Sequence, residues 1–436
     1  MEEATLLNSL PSNPLENEQL QDHGESIQIR FSTRTEKPVS SAPIVLPTSL
    51  KRYGLSQIIN QLLSNNPIIP YDFLIDGVFL RTSIADYIAQ KQISKEVVLD
   101  IEYVQSIVPP SHNKSFPHRD WISDVAIHEG FVLTSGYDGR AIVWNYEGEQ
   151  VYCSPAEARS LKCVAWAGQA GFLAGGMDRN IRLWNVDAGQ LICQVEFKGH
   201  TEQVDSLDCN PSGKVLSAGA DGLVGLWDIV SAREANKEES VTSAESNKKK
   251  RRIIANMPNV KPLVMLEGHS LPVSDVMFDR KDETIGYSVG WDTTLRTWHL
   301  LSQTSVDVKK FSDPLLCMTQ LPSLSLFPLG STLDAIYLHD PRSSEIASQI
   351  RRGHSGFVSD LAPSPKNEFM FASSSFDGTV KVWDVRALSG AIHSIDRAAS
   401  DMKGSKVLCV DWSQYGICSG GEDTQLQIDS YSYTSN

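Results

Sequence analysis

The chain has 436 residues, 41% of them hydrophobic, with 39 basic against 53 acidic side chains and a net charge of −14. That length accommodates two domains, and the acidity argues against a uniformly nucleic-acid-binding surface while leaving room for a local basic segment. No apolar run approaches the ~18 residues of a membrane span, and Met1-Glu2-Glu3 is acidic where a signal peptide is basic, so a soluble, intracellular protein is expected.

Residues 1–24 are polar and acidic with Pro11 and Pro14, the composition of a disordered tail. Residues 26–105 read as one compact module. Ile27, Ile29 and Phe31 alternate with polar residues as in a half-buried strand, and Pro43 to Leu46 supplies a hairpin partner. Leu50 to Leu63 carries Leu55, Ile58, Ile59, Leu62 and Leu63 at helical spacing, with Ser49 as the expected N-cap and Asn65-Asn66-Pro67 as the stop. Tyr71 to Ile75 turns at Asp76-Gly77 into Val78-Phe79-Leu80, then a short helix from Ser83 to Gln90 and a strand from Val97 to Val104 follow. Hairpin, helix, strand pair, short helix and strand is the order of a ubiquitin-like β-grasp.

From residue 106 to the end a unit of about forty residues recurs, the period of a propeller blade. Its marks are an Asp six positions before a Trp, a Gly-His pair upstream and a hydroxyl four positions before the Asp. The clearest copies are His200, Ser217, Asp221 and Trp227; His269, Ser288, Asp292 and Trp298; and His354, Ser373, Asp377 and Trp383. Asp138 with Trp144, Asp178 with Trp184, and Asp423 with Asp429 in the Trp position are weaker copies, and Thr134 and Ser419 supply hydroxyls. In a blade the Asp occupies a tight turn, the Trp lies on the next strand and the His enters from the preceding loop. Such buried polar groups cost energy unless paired, so these residues read as structural rather than catalytic. The gap from Asp292 to Asp377 holds a degenerate fifth blade over residues 311–342, where Leu333 stands in the turn position, and apolar packing is expected to replace the polar chain. Seven blades follow. The expected fold is therefore an all-β seven-bladed WD-repeat propeller preceded by an α+β ubiquitin-like β-grasp domain. Only Tyr431 to Asn436 follow the last strand, so residues between Gln105 and Pro117 are expected to supply the outer strand of blade 7.

Residues 231–262, placed between the third and fourth blades, are rich in Glu, Lys, Ser and Asn and contain Lys248, Lys249, Lys250, Arg251 and Arg252. A run of five basic residues in a solvated insertion fits a nuclear import signal or an RNA contact. Seven cysteines stand singly without a C-x-x-C pair, which fits buried thiols in a reducing compartment and no zinc site. No phosphate-binding loop, H-E-x-x-H or G-x-S-x-G occurs, so an enzyme is not expected.

The stretches Leu50-Lys51-Arg52-Tyr53-Gly54-Leu55-Ser56, Tyr71-Asp72-Phe73-Leu74-Ile75, Phe79-Leu80-Arg81-Thr82-Ser83, Ile101-Glu102-Tyr103, Asp120-Trp121-Ile122-Ser123 and Asp377 to Arg386 carry a family resemblance. The chain resembles ribosome-biogenesis WD-repeat proteins with a Notchless-like leader, the propeller subunit that joins Pescadillo and the block-of-proliferation protein. The resemblance implies a non-enzymatic factor in maturation of the large (60S) subunit precursor and its pre-rRNA, in nucleolus and nucleoplasm. It also implies a propeller that docks on the block-of-proliferation protein and a leader that offers a carboxylate to the metal site of the midasin ATPase, which strips factors from the particle. Glu96, in Ile93-Ser94-Lys95-Glu96-Val97, matches that carboxylate. Mg²⁺ favours near-octahedral oxygen ligands, and a partner's carboxylate fills one open position; the ion belongs to midasin, and this chain is expected to hold no metal or cofactor of its own. The competing reading is a substrate receptor of a cullin-type ubiquitin ligase, suggested by Trp383-Asp384-Val385-Arg386, whose Arg resembles an adaptor-docking group.

Overall fold

The computed structural model describes residues 25–34, 38–94, 96–106, 109–168, 171–187, 189–233, 259–343, 348–350, 353–388, 390–397 and 405–431. The leading tail and the basic run Lys248–Arg252 lie outside them. Two compact units divide after Ser106.

In the first unit, β1 (Ser26–Ser32), β2 (Ile44–Pro47), β3 (Tyr71–Ile75), β4 (Val78–Phe79) and β5 (Leu99–Gln105) form one sheet in the order β2-β1-β5-β3-β4. β1 and β5 pair in parallel at its centre, and the other pairings are antiparallel. The alternation of β1 sends Ile27, Ile29 and Phe31 into a core shared with Leu55, Ile59, Phe73, Ile101 and Tyr103. Helix α1 (Arg52–Leu63) contributes the Leu55 and Ile59 face, whereas Leu62 is exposed. Ser49 is not its cap: the helix begins three residues later, with Lys51 at the N-cap and no side-chain bond there. Helix α2 (Ile84–Lys91) has the stronger start, a capping box in which Ser83 and Asp86 satisfy each other's backbone N–H.

The second unit is a ring of seven sheets. Blade 1 uses strands 122–128, 131–136, 141–145 and 150–153 from the inside outward, and blades 2, 4, 5 and 6 repeat that order with four consecutive strands each. Blade 7 takes its three inner strands from 407–413, 416–421 and 425–430, and its outer strand is β6 (Ser111–Pro117), paired antiparallel from Gln425↔Pro117 to Ser430↔Ser111. The ring is thus closed by the segment that follows the first unit, as expected from the sequence.

Two expectations need correction. The insertion lies within blade 3, between its third strand (Val224–Asp228) and its outer strand (Val264–Leu266), not between blades 3 and 4. On its return Asn259–Val260 first adds in parallel to the outer strand of blade 2, and the chain then crosses to the edge of blade 3. Blade 5 also keeps a polar link of its own: the Tyr337 hydroxyl bonds the Asp313 carboxylate and lies 2.8 Å from Ser312 Oγ. A tyrosine on the third strand reaches the loop that enters the blade, doing from the opposite direction what Leu333 cannot.

Candidate functional site

Glu96 stands on the turn between α2 and β5. Its backbone N–H lies 3.4 Å from Ser94 Oγ, and Val97 N–H donates to Ser94 O, so Ser94 holds the turn. The Glu96 side chain is exposed, and among the described residues nothing bonds or pairs with its carboxylate. It is a lone oxygen donor available to an outside ligand.

The carboxylates and imidazoles of the blades are in the opposite condition. In blade 3, His200 Nδ1 lies 3.1 Å from both Asp221 oxygens and Nε2 2.7 Å from Ser217 Oγ, and Trp227 Nε1 donates to the same Oγ at 2.9 Å. A carboxylate only accepts, so Nδ1 carries the proton; Nε2 then takes the Ser217 hydroxyl, whose oxygen accepts the indole N–H. Blade 4 (His269, Ser288, Asp292, Trp298) and blade 6 (His354, Ser373, Asp377, Trp383) repeat the chain with distances of 2.6 to 3.0 Å. Burial lowers the pKa of His269 and His354, which keeps them neutral. Burial works against ionisation of Asp221, Asp292 and Asp377, but the bonds they accept outweigh it and hold each below the usual carboxylate range. These groups are consumed by the fold.

The weaker blades use substitutes. In blade 1, His118 and Trp144 meet at Thr134, both at 2.9 Å, without the Asp link, and burial pushes the His118 pKa down to about 4. In blade 2 no His is present, and Arg182 pairs with Asp178 at 2.6 Å and Glu196 at 2.9 Å. In blade 7, Arg397 takes the histidine's place, reaching Ser419 Oγ at 2.8 Å and Asp423 at 2.8 to 2.9 Å. Asp429, at the Trp position, accepts from Gln427 Nε2 at 2.9 Å and faces His112 of β6 at 3.5 Å.

A second set of groups, not singled out from the sequence, joins neighbouring blades. Asp124, Asp208, Asp275, Asp360 and Asp411 each accept the N–H of a residue on the next blade's inner strand, namely Val164, Phe278, Met318, Val410 and Ile127, at 2.7 to 2.8 Å. The two remaining junctions carry thiols, Cys163 Sγ to Val204 O at 3.6 Å and Cys317 Sγ to Val358 O at 3.5 Å. Burial raises all five carboxyls, Asp124 to about 7 and Asp275 and Asp411 to about 6, although the accepted N–H bonds oppose it. The signal was present as an Asp or Cys in the third position of most inner strands, as in Ile122-Ser123-Asp124 and Leu161-Lys162-Cys163.

Exposed aromatics occur at both ends of the blades: Phe131 and Tyr415 at the turns between first and second strands, and a set of three at the opposite ends. On every blade the residue after the second strand donates its N–H to the carbonyl of the residue before the first: Tyr137 to Trp121, Met177 to Ser160, Ala220 to Gln203, Trp291 to Pro272, Thr332 to Pro314, Phe376 to Phe357, and Glu422 to Lys406. The shared bond makes these seven pairs equivalent. Trp121, Trp291 and Phe357 are each about two-fifths exposed there. Lys162 lies 4.7 Å from the Tyr137 ring and Lys406 5.3 Å from that of Phe376. By contrast, Arg386 is buried, bonded by Nε to Asp384 at 2.9 Å and set 4.3 Å from the Phe369 ring, so the group that adaptor docking requires is turned inward. No group of three or more His, Cys, Asp or Glu among the described residues is arranged to hold a metal ion, and no described helix is long and apolar enough to cross a membrane.

Comparison with known proteins adds the following. Residues 27–88 match the NLE (NUC135) domain family. Residues 148–185, 191–228, 260–299 and 347–384 match the WD domain, G-beta repeat, family, and they hold the three inner strands of blades 2, 3, 4 and 6. The ribosome biogenesis protein ytm1 of Schizosaccharomyces pombe is 41% identical over 426 residues, 93% of this chain and 96% of the relative. The YTM1 protein of Kluyveromyces lactis is 37% identical over 433 residues, 92% and 97%, and that of Neosartorya fischeri 37% over 461 residues, 92% and 94%.

Proposed function

This chain belongs to the Ytm1 family of ribosome biogenesis proteins, and we propose that it acts as a non-enzymatic assembly factor for the large ribosomal subunit, needed for pre-rRNA processing. It joins Pescadillo and the block-of-proliferation protein on the pre-60S particle, in nucleolus and nucleoplasm, and it leaves when the midasin ATPase grips the N-terminal unit. The observation that carries this reading is Glu96: a carboxylate with no partner among the described residues, exposed on a turn, in a protein whose blade histidines and their carboxylates are engaged internally. When midasin's Mg²⁺ is presented, Glu96 supplies one oxygen ligand from the turn whose backbone Ser94 bonds. The ion is the partner's, and this chain contributes no other ligand to it.

The propeller docks on the block-of-proliferation protein through the face that carries Trp121, Trp291 and Phe357, because exposed aromatic side chains are enriched at protein interfaces. The basic run Lys248–Arg252 serves nuclear import, an RNA contact being the other role such a run supports. The buried Arg386 weighs against the ligase reading. Affinity purification of the full chain tests the assignment: Pescadillo, the block-of-proliferation protein and pre-60S material are expected, and recovery of a cullin adaptor in their place overturns it.

A further inference from the structure

Blade 1 has every residue of the polar chain found in blades 3, 4 and 6, yet two of its links are open. Asp138 occupies the usual turn, its Oδ1 accepting the Arg140 N–H at 3.1 Å as Asp221, Asp292 and Asp377 accept theirs at 3.0 to 3.1 Å. In those three blades the carboxylate also takes the N–H of the residue after the histidine, Thr201, Ser270 or Ser355, at 2.9 to 3.1 Å, and bonds the histidine Nδ1. In blade 1 the buried atoms Asp138 Oδ2 and His118 Nδ1 have no hydrogen-bond partner. The nearest cation to Asp138 is Arg140, whose Nε lies 3.6 Å from Oδ2. Burial therefore acts unopposed on the His118 pKa, whereas Asp292 and Asp377 oppose it at His269 and His354. The place of the His118 proton follows from its other bond. Thr134 Oγ1 donates to Ile142 O at 3.2 Å and accepts the Trp144 indole N–H, so it accepts Nε2–H from His118 and leaves Nδ1 bare. That tautomer is the opposite of the one in blades 3, 4 and 6.

Arg140 and Arg119 are the two charged groups of a cavity of about 490 Å³ beside the outer strand of blade 1 and the start of that of blade 2, where the amides of Gln150 and Gln190 also face it. No carboxylate lines its wall among the described residues. The exposed Arg119 has no hydrogen bond or ion pair among them either. Two guanidiniums, one of them unpaired, with amide donors beside them make the donor set of an oxyanion site. A net charge of −14 repels a polyanion, so the fit is to a single oxyanion on a polypeptide: the carboxylate of a Glu or Asp, or the phosphoryl group of a phosphoserine. We propose that this cavity is an oxyanion pocket for an acidic side chain of a partner polypeptide and that filling it completes blade 1: the oxyanion draws Arg140 away, Asp138 turns to His118, and the imidazole proton moves from Nε2 to Nδ1. The ring stays neutral, because the proton that Nε2 gives to solvent is matched by one gained at Nδ1, and the Thr134 hydroxyl turns from Ile142 O to donate to Nε2. Trp121 lies two residues beyond Arg119, so the pocket borders the proposed docking face, though it stands without that reading.

The test uses the full chain with ¹⁵N-labelled histidine, at neutral pH and constant ionic strength. Two blocked peptides, acetyl-Gly-Gly-Glu-Gly-Gly-amide and its phosphoserine counterpart, and a short oligouridylate are added in turn. Calorimetry reads the affinity and the long-range ¹H–¹⁵N spectrum reads the His118 tautomer. At least one peptide is expected to move His118 saturably from the Nε2–H to the Nδ1–H form, and the peptide that does so identifies carboxylate or phosphoryl as the source. Arg119→Gln, which removes a side chain that no described group holds, should weaken binding about tenfold, the worth of one charge-assisted hydrogen bond, with an unchanged thermal midpoint. Asp138→Ala should bind at least as tightly as the wild type while His118 keeps its proton on Nε2. Binding indifferent to Arg119→Gln, or a shift produced by the oligouridylate and by neither peptide, overturns the pocket. Binding that leaves the His118 tautomer unmoved, or an equal shift in Asp138→Ala, overturns the coupling. Neither peptide binding overturns both.

Discussion

Replacing Ser217 by alanine removes a single oxygen at the centre of the blade 3 chain. That oxygen accepts from Trp227 Nε1 at 2.9 Å and donates to His200 Nε2 at 2.7 Å, and Ser217 is fully buried. The lost volume is small; at roughly 24 cal/mol per Å³ its cavity cost stays well under ~1 kcal/mol. The larger cost is two buried polar atoms left without partners, each about 1–3 kcal/mol, so the variant should lose about 2–6 kcal/mol. Ser331→Ala in blade 5 is the control, because Ser331 Oγ bonds only backbone carbonyls, Ala335 O at 2.8 Å and Leu333 O at 3.3 Å, and its loss should cost about 1 kcal/mol. Urea unfolding read as a midpoint shift at unchanged slope measures both. A Ser217→Ala cost within ~0.5 kcal/mol of zero, or no larger than that of Ser331→Ala, refutes the reasoning that the shared hydroxyl holds the blade.

Arg397→Ala should destabilise the protein by about 3–5 kcal/mol, seen as a lower thermal midpoint, because it strands the buried Asp423 carboxylate. The inter-blade aspartates predict a pH dependence. Their folded pKa values are raised, so their favourable contribution is complete below the ordinary carboxylate value near 4 and is lost as pH rises through about 6 to 7. The buried His118, His269 and His354, with lowered pKa values, oppose this trend as pH falls below 6.5, so the clean window is pH 6.5 to about 7.5, where Asp124 still titrates. There, stability should fall with rising pH, and Asp124→Asn should flatten the slope whatever it does to the absolute value; an unchanged slope contradicts the assignment. Deleting Lys248 to Arg252 should reduce nuclear accumulation in fluorescence microscopy, and unaltered accumulation removes the import role.

The blade count and the β-grasp order were legible because each rests on a local pattern: the Asp-to-Trp spacing and the alternation in β1. Substituted partners were not legible. Nothing in the spacing around Arg397 marks it as a stand-in for histidine, since its longer side chain reaches Ser419 from 22 residues away where His200 reaches Ser217 from 17. Tyr337 likewise serves blade 5 from a position the repeat does not specify. The insertion's place inside blade 3 is not legible, because the outer strand of that blade is only three residues long and follows the insertion, so no pattern assigns Val264–Leu266 to the earlier blade. Glu96 had no signal apart from the family match: a carboxylate on an exposed turn is common, and its partner lies outside the chain.

The most direct test of the account is calorimetric titration of the full chain with the metal-site domain of midasin in Mg²⁺. Wild-type binding that disappears with EDTA is expected, together with a loss of at least tenfold, about 1.4 kcal/mol, for both Glu96→Ala and Glu96→Asp, because Mg²⁺ enforces its ligand distances and Asp is one methylene short. Wild-type affinity in Glu96→Asp, or binding indifferent to EDTA, would contradict it.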